Sequence, residues 1–486
     1  MAMTIPASTN KTIATCIQIH VGDTTPKPTW PPRLLAARAH RPIDKVVPMA
    51  SRVCTLMTAL ATALVLVATV TMPALSVAAP SSTKLPLLGL NTTGIYAGES
   101  NAKIDSEVAM ARSLHATVMR VEMPWSTFEP QSPGTLSPGA VAAADRLIAD
   151  AAKANIKLIA DVYSTPCWAS TAPSGLLSRC QREQGGAAYA WMPREASLYG
   201  QFVGWLAKRY GAQLAAIEVW NEPDQANQDY LAGPDKPQHY AELLRAAYPA
   251  VKAANPAIKV LAGSLVGSNG AFMKALYAAG IKGYYDGVAV HFYTLVLAAV
   301  RDFHEFQLAN GDHTPLWLDE FGWPSCWPHR KIQQEQACVS SQVQAANIVS
   351  AYRELSRTPY IAADTIYKLQ NSPGESFGMI TATGRHKPAF SALANALGSP
   401  LAPPIQVSLH LRTERGHVVA SGSAPVGDYM RLEAFVSRRL RYHAIFTLDR
   451  FNRYALSLPA ALGTHGLLVR VYQYWLGPGS DAQKSI

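Results

Sequence analysis

Two glutamates carry the strongest chemical signal in this sequence. Glu222 follows an apolar run, Ile217-Glu218-Val219-Trp220, which reads as a short buried strand broken only by Glu218. The polar pair Asn221 and Glu222 ends that run, and Pro223 blocks its continuation. Glu320 ends a second run of the same kind, Leu316-Trp317-Leu318-Asp319-Glu320, before Phe321-Gly322-Trp323. A carboxyl group at the tip of a buried strand is poorly hydrated, which favours its neutral form and lifts its pKa toward neutrality. That is what a general acid needs. Glu222 and Glu320 are therefore expected to be a catalytic pair facing each other across a cleft, provided a scaffold holds them together.

The scaffold is legible in the alternation of the chain. Strand-like runs occupy residues 87–91, 117–122, 157–163, 216–221, 258–264, 287–293, 316–320 and 365–369. Amphipathic stretches separate them at 138–154, 198–210, 239–254, 272–279, 295–308, 342–355 and 388–397. In the first of these Val141, Ala144, Leu147, Ile148 and Ala151 form an apolar stripe that Asp145, Arg146 and Asp150 avoid. Mostly apolar strands alternating with helices imply a parallel sheet covered on its faces. Eight such units predict an α/β fold, a (β/α)8 TIM barrel over residues 84–400. A doubly wound open sheet is the alternative, but the segment after the first strand, Asn91-Thr92-Thr93-Gly94, is no glycine-rich nucleotide loop. Neither a P-loop nor a G-x-S-x-G elbow occurs anywhere in the chain.

In such a barrel, active residues gather at the C-terminal strand ends. Those ends supply Asn91, Arg120 and Glu122, Trp168 beyond the third strand, then Asn221, Glu222, His291, Tyr293, Glu320 and Tyr367. Two carboxyl groups beside aromatic rings suit cleavage of a glycosidic bond, one protonating the leaving oxygen while the other attacks carbon or activates water. Trp168, Trp323 and Tyr367 are candidate stacking surfaces for sugars.

At this point the sequence resembles a known group. Trp220-Asn221-Glu222-Pro223 and Asp319-Glu320-Phe321-Gly322-Trp323 are similar to the signatures of clan A retaining glycoside hydrolases, whose acid/base follows strand four and whose nucleophile ends strand seven. The resemblance extends to Arg120, to His291-Phe292-Tyr293 and to Gly384-Arg385-His386-Lys387-Pro388-Ala389, covering residues 86–400. Within the clan the chain most resembles the family thirty-nine hydrolases of bacterial exopolysaccharides, which often carry a C-terminal β-module. The resemblance implies that Glu222 is the acid/base and Glu320 the nucleophile. It also implies that Asn221 binds the sugar 2-hydroxyl, and that Arg120 and Tyr293 keep Glu320 ionised, with His291 in the site. Where the family often has a tryptophan or an acid near the end of strand eight, this chain has Tyr367-Lys368-Leu369-Gln370-Asn371. The expected activity is cleavage inside a β-linked exopolysaccharide by double displacement. An exo-acting β-xylosidase or uronidase is one alternative, and a non-catalytic polysaccharide-binding protein another. No cofactor and no metal are expected, and the chain is expected to be a monomer.

Composition sets the outer limits. Charged residues are 16% and hydrophobic ones 49%, as in a well-packed globular protein. The formal charge of +10 is split between the ends of the chain, without a basic run interleaved with aromatics, so nucleic acid is not an expected partner. Residues 405–486 hold ten Lys/Arg against five acids, a solvated basic face or one attracted to an acidic polymer. Here the apolar period changes to two, in Val407, Leu409 and Leu411, and glycines punctuate the segment. A small β-sandwich is expected over 405–476, joined by a linker at 401–404, with 482–486 a loose tail. Residues 53–83 carry no charge and have an apolar core at 60–70 before small residues at 76–79, the layout of a signal peptide; cleavage that leaves no membrane span is expected, with an uncleaved membrane anchor as the alternative. An exported protein, periplasmic or extracellular, is the consequence, with residues 1–79 as extension and signal. Export also makes disulfides expected among Cys167, Cys180, Cys326 and Cys338, and the local pairing costs least in loop closure.

Overall fold

The computed structural model describes residues 86–486 apart from 93, 96–99, 181–186, 228, 295, 327–331, 334–335, 401–405, 425–428, 450–451 and 475–481. The expected signal segment and linker lie outside the described residues. Eight parallel strands close into a barrel: β1 (Leu87–Asn91), β2 (Val118–Glu122), β3 (Lys157–Val162), β4 (Leu214–Val219), β5 (Lys259–Leu265), β6 (Gly287–His291), β7 (Leu316–Phe321) and β8 (Ile361–Ile366). Each strand pairs with its sequence neighbours, and β1 closes the barrel on β8.

Around it lie α1 (Asn101–Ser113), α2 (Pro138–Lys153), α3 (Ala196–Tyr210), α4 (Lys236–Ala254), α5 (Ala271–Ala278), α6 (Val296–Ala309), α7 (Ser341–Leu355) and α8 (Pro388–Leu397). Serine caps start three of them, Ser100, Ser137 and Ser340 each accepting from a first-turn amide. Helices α3 and α4 approach closely at Gly200, where a Cβ would stand 2.7 Å from the Ala246 carbonyl oxygen. Helix tyrosines also pin the strand ends that carry the site. The Tyr199 hydroxyl donates to the Val162 carbonyl and that of Tyr240 to the Val219 carbonyl, each at 2.6 Å. The Tyr352 hydroxyl donates to the carbonyl of Gly89.

Two expectations about elements are corrected. The eighth strand runs over Ile361–Ile366, not 365–369, because the alanines of Ile361-Ala362-Ala363-Asp364 carry little strand signal and their pairing to β1 and β7 decides the matter. The C-terminal segment is no loose tail: Ala482–Ser485 is a strand paired antiparallel to Leu467–Gln473. The sandwich comprises β9 (His410–Glu414), β10 (His417–Ser423), β11 (Tyr429–Val436), β12 (Arg439–Thr447), β13 (Arg453–Ser457), β14 (Leu467–Gln473) and β15 (Ala482–Ser485). Its sheets have the orders β9-β10-β13 and β12-β11-β14-β15. Val407, Leu409, Val418, Met430, Leu432, Val469 and Val471 form its own core.

Among the described residues two disulfides are present, Cys167–Cys180 and Cys326–Cys338. The second begins shortly after Glu320 and braces the segment that follows the strand end. Reduction is therefore expected to lower turnover several-fold while the far-UV circular dichroism of the barrel persists. Loss of both signals in parallel would contradict this.

Candidate active site

The period of two along each strand fixes what fills the barrel. At the bottom Val118, Ile159, Ala216, Leu261, Ala289, Trp317 and Ala363 form a closed apolar cluster. Moving up each strand brings the next inward positions, and these are polar: Asn91, Arg120, Asp161, Glu218, Ser264, His291, Asp319 and Thr365, in order from β1 to β8 and all buried. One step further stand Glu122, Tyr163, Glu222, Tyr293, Glu320 and Tyr367, at the mouth.

Arg120 organises the polar ring. Its Nε and one terminal nitrogen donate to both oxygens of Glu218, at 3.1 and 2.7 Å. It also donates to Asp161 at 3.1 Å, Asn91 at 3.0 Å, Asn221 Oδ1 at 2.8 Å and Glu320 Oε1 at 2.9 Å. The Ser264 hydroxyl donates to Glu218 Oε1. A buried arginine needs such compensation, and the surrounding acids supply it.

Asp319 and Glu320 both face inward although they are adjacent, because β7 carries one residue more than either neighbour at this point. Its register advances from Leu318 to Glu320 while β6 advances only from Val290 to His291. Against β8, Leu318 to Phe321 spans only Asp364 to Ile366. A bulge of this kind re-aims a side chain at a strand end. On β4 the turn does the same work: Trp220 and Glu222 take φ of 70° and 44°, a left-handed conformation unusual for non-glycine residues.

The geometry brings Glu222 and Glu320 together. One carboxylate oxygen of each and a ring nitrogen of His291 all lie within 4.8 Å of one another. His291 Nδ1 is 2.8 Å from Glu222 Oε1 and 3.4 Å from Glu320 Oε2. The two carboxyl groups differ in surroundings. Glu222 receives the neutral Gln225 amide, and burial pushes its pKa up to about 7, with Arg120 opposing. Glu320 receives the Arg120 guanidinium and, at 2.5 Å, the Tyr293 hydroxyl. Burial raises Glu320 as well, held back by His291, Arg120 and Tyr293. Two such close carboxylates do not both ionise easily, and the charged donor on Glu320 assigns the shared proton to Glu222. Burial pulls His291 down to about 4, so its ring is neutral near neutral pH.

The other expected contacts divide. Asn221 has its carbonyl oxygen tied to Arg120, so that contact leaves its amide N–H groups unused. Tyr367 stands edge-on to Tyr293 with ring centroids 5.9 Å apart and donates to Glu375 at 3.1 Å. Trp168 packs edge-on to Trp125 at 5.6 Å and donates to the Glu129 carbonyl at 2.7 Å, lining a side cavity with Leu136, Leu198 and Trp205. Trp323 is a correction: it is fully buried, edge-on to Phe321 and beside Gln344 of α7, so no face is open to a sugar. Residues not singled out from the sequence also enter the site. Asp161 and Ser264 belong to the polar ring, and the Tyr163 hydroxyl donates to Glu122 at the mouth and stands edge-on to Tyr230. An acid in the middle of an apolar run, as in Leu158-Ile159-Ala160-Asp161-Val162, was the available signal.

Comparison with known proteins decides the family. Residues 79–344, more than half of the chain, match the model described as cellulase (glycosyl hydrolase family 5). The chain belongs to this family. It is thus a clan A glycoside hydrolase, and the motif resemblance to family thirty-nine meets the family 5 match at the level of the clan. No curated protein matches the chain. Among solved structures, the hydrolase shares its fold with a family 39 glycoside hydrolase from Bacteroides cellulosilyticus WH2, at 16% identity and TM-score 0.50, over 77% of this chain and 80% of that one. A GH39 β-xylosidase from Caulobacter crescentus gives 16% and 0.50 over 77% and 97%, and a glucosidase from Croceicoccus marinus gives 12% and 0.51 over 77% and 93%.

Proposed function

We propose that the hydrolase cleaves a β-linked polysaccharide with retention, by double displacement. In this reading Glu222 protonates the leaving oxygen while Glu320 attacks the anomeric carbon, and Glu222 then takes a proton from the water that releases the sugar. The observation that carries the reading is the separation of the two carboxyl groups. Retaining enzymes hold them about 5–5.5 Å apart, whereas inverting ones leave about 6.5–9.5 Å for a water, and here a pair of oxygens lies within 4.8 Å. The cellulase description of the matching family favours a polymer as substrate and action within the chain, and the motif resemblance favours a bacterial exopolysaccharide. The β-xylosidase among the similar folds keeps an exo-acting reading open as the second choice. Asn221 would bind the sugar 2-hydroxyl through its amide, with Tyr293 and Tyr367 beside the sugar ring. The two disulfides fit an exported protein, and none of the described helices is long and apolar enough to cross a membrane.

The test is digestion of a polysaccharide panel, following reducing ends and viscosity while NMR reads the anomer formed first. A β-anomer from a β-linkage with an early fall in viscosity is the expected result. An inverted anomer would overturn the mechanism, and single-sugar release without a viscosity change would favour the exo reading. Glu222 must be protonated to act first, so kcat/KM should fall tenfold per pH unit above about 7. A profile flat to pH 9 would contradict that role.

A further inference from the structure

Beneath the catalytic pair, Asp319 has an environment that an ionised carboxylate does not suit. It is fully buried, and among the described residues neither of its oxygens accepts from an N–H or O–H donor; the side chain that meets it is another carboxyl group, Glu218. Arg120, the cation nearby, spends its donors on Glu218, Asp161, Glu320, Asn91 and Asn221 and approaches Asp319 Oδ2 only to 3.5 Å. A second fully buried carboxylate, Glu218, stands within 4.8 Å of it. His291 Nε2, also buried and without a hydrogen-bond partner, lies 3.5 Å from Asp319 Oδ1. An anion at Asp319 would lack donors and face another anion, whereas a carboxylic acid needs only an acceptor, and the His291 lone pair is one.

We propose that Asp319 is held as a neutral carboxylic acid whose proton fixes His291 in the Nδ1–H tautomer. The inference rests on reading Glu222 and Glu320 as the catalytic pair. With Nε2 occupied by the Asp319 O–H, Nδ1–H points between the two catalytic carboxyl groups, at 2.8 Å from Glu222 and 3.4 Å from Glu320. That N–H donates to Glu222 through the carbonyl oxygen when the acid is protonated and to the carboxylate once the proton has left. The ring therefore keeps one orientation through both half-reactions. The opposite tautomer would turn a nitrogen lone pair on Glu222 at the moment it becomes an anion. Asp319 is thus a positioning residue that acts through His291. The charged and titratable groups facing it are Glu218 of β4, Arg120 of β2, His291 of β6 and its neighbour Glu320 of β7, with Asp161 of β3 behind Arg120. Burial and the Glu218 charge both push its pKa upward.

The direct test uses the whole protein at pH 7. Nitrogen NMR of the His291 ring, assigned with His291→Asn, should show Nδ1 protonated and Nε2 bare. Difference infrared spectra between wild type and Asp319→Asn should lose one protonated-carboxyl carbonyl band. Asp319→Asn keeps an N–H donor toward Nε2, so its kcat should stay within about threefold with an unmoved pH profile, whereas Asp319→Ala should lose about tenfold or more. An Nε2–H tautomer, no lost carboxyl band, or an Asn variant whose basic limb shifts as removal of a negative charge requires would each overturn the proposal. The two spectroscopic arms need no turnover, so a chain that cleaves no glycoside sinks the functional reading without deciding the state of Asp319.

Discussion

Glu320→Gln should lower kcat by about five to six orders of magnitude, the scale on which covalent catalysis fails when its nucleophile is removed. The amide is isosteric, cannot form the glycosyl ester, and keeps its oxygen for Arg120 while its NH2 turns to the Tyr293 oxygen; these two groups now hold the two carboxylate oxygens at 2.9 and 2.5 Å. Folding should be intact by circular dichroism, and polysaccharide binding retained. Removing a charge from beside Glu222 should also let that residue ionise at lower pH. Glu222→Gln should behave differently. Loss of a general acid costs about two to four orders of magnitude when the leaving group needs a proton, and far less on an aryl glycoside whose phenol leaves unaided. Comparing both variants on a natural polymer and on an activated aryl glycoside separates the roles. Equal losses on the activated substrate, or continued sugar release from Glu320→Gln, would remove Glu320 from the role of nucleophile.

Much of this site is legible in the sequence because period two and strand order are both linear information. Once eight apolar runs are counted, Glu222 falls after the fourth strand and Glu320 at the seventh, and a closed barrel leaves them no other place than the mouth. What resisted reading depends on contacts that cross the barrel. Glu218 sits in mid-strand, where period alone does not tell inward from outward. The inward direction follows from Ala216, which belongs to the apolar plug two residues earlier. Asp319 should by strict alternation face opposite to Glu320, and only the extra residue in β7, seen by its register against two neighbours, turns both inward. Trp323 misled for the converse reason. A tryptophan three residues past a nucleophile suggests a sugar platform, but here the ring is fully buried edge-on to Phe321 while the Trp323 carbonyl accepts from Gln344. The eighth strand was displaced because Ala362 and Ala363 have little intrinsic strand preference, and pairing on both sides overrides that.

Arg120→Met should be the most damaging substitution to the fold and to catalysis together. The methionine fills similar space but removes the guanidinium, with all its donors, from a ring that holds Asp161, Glu218 and Asp319, with Glu320 at its rim. Breaking a buried ion pair from one side costs about 3–5 kcal/mol, because the remaining charge is left without compensation. The sign of the pH dependence follows from Glu218. Its folded pKa is depressed to about 2, Arg120 being the largest of the causes that oppose burial, so its contribution is present above its ordinary value and is lost as pH falls toward 2. In the variant Glu218 must take up a proton on folding, which is easier in acid. The gap in melting temperature between wild type and variant should therefore be widest near pH 7 and narrow toward pH 4. Adding Glu218→Gln to Arg120→Met should recover part of the stability, since it removes one orphaned charge, while leaving turnover low because Glu320 and Asn221 have still lost their donor. A double variant no more stable than Arg120→Met, or a gap that does not narrow in acid, would show that Arg120 acts by packing rather than by charge.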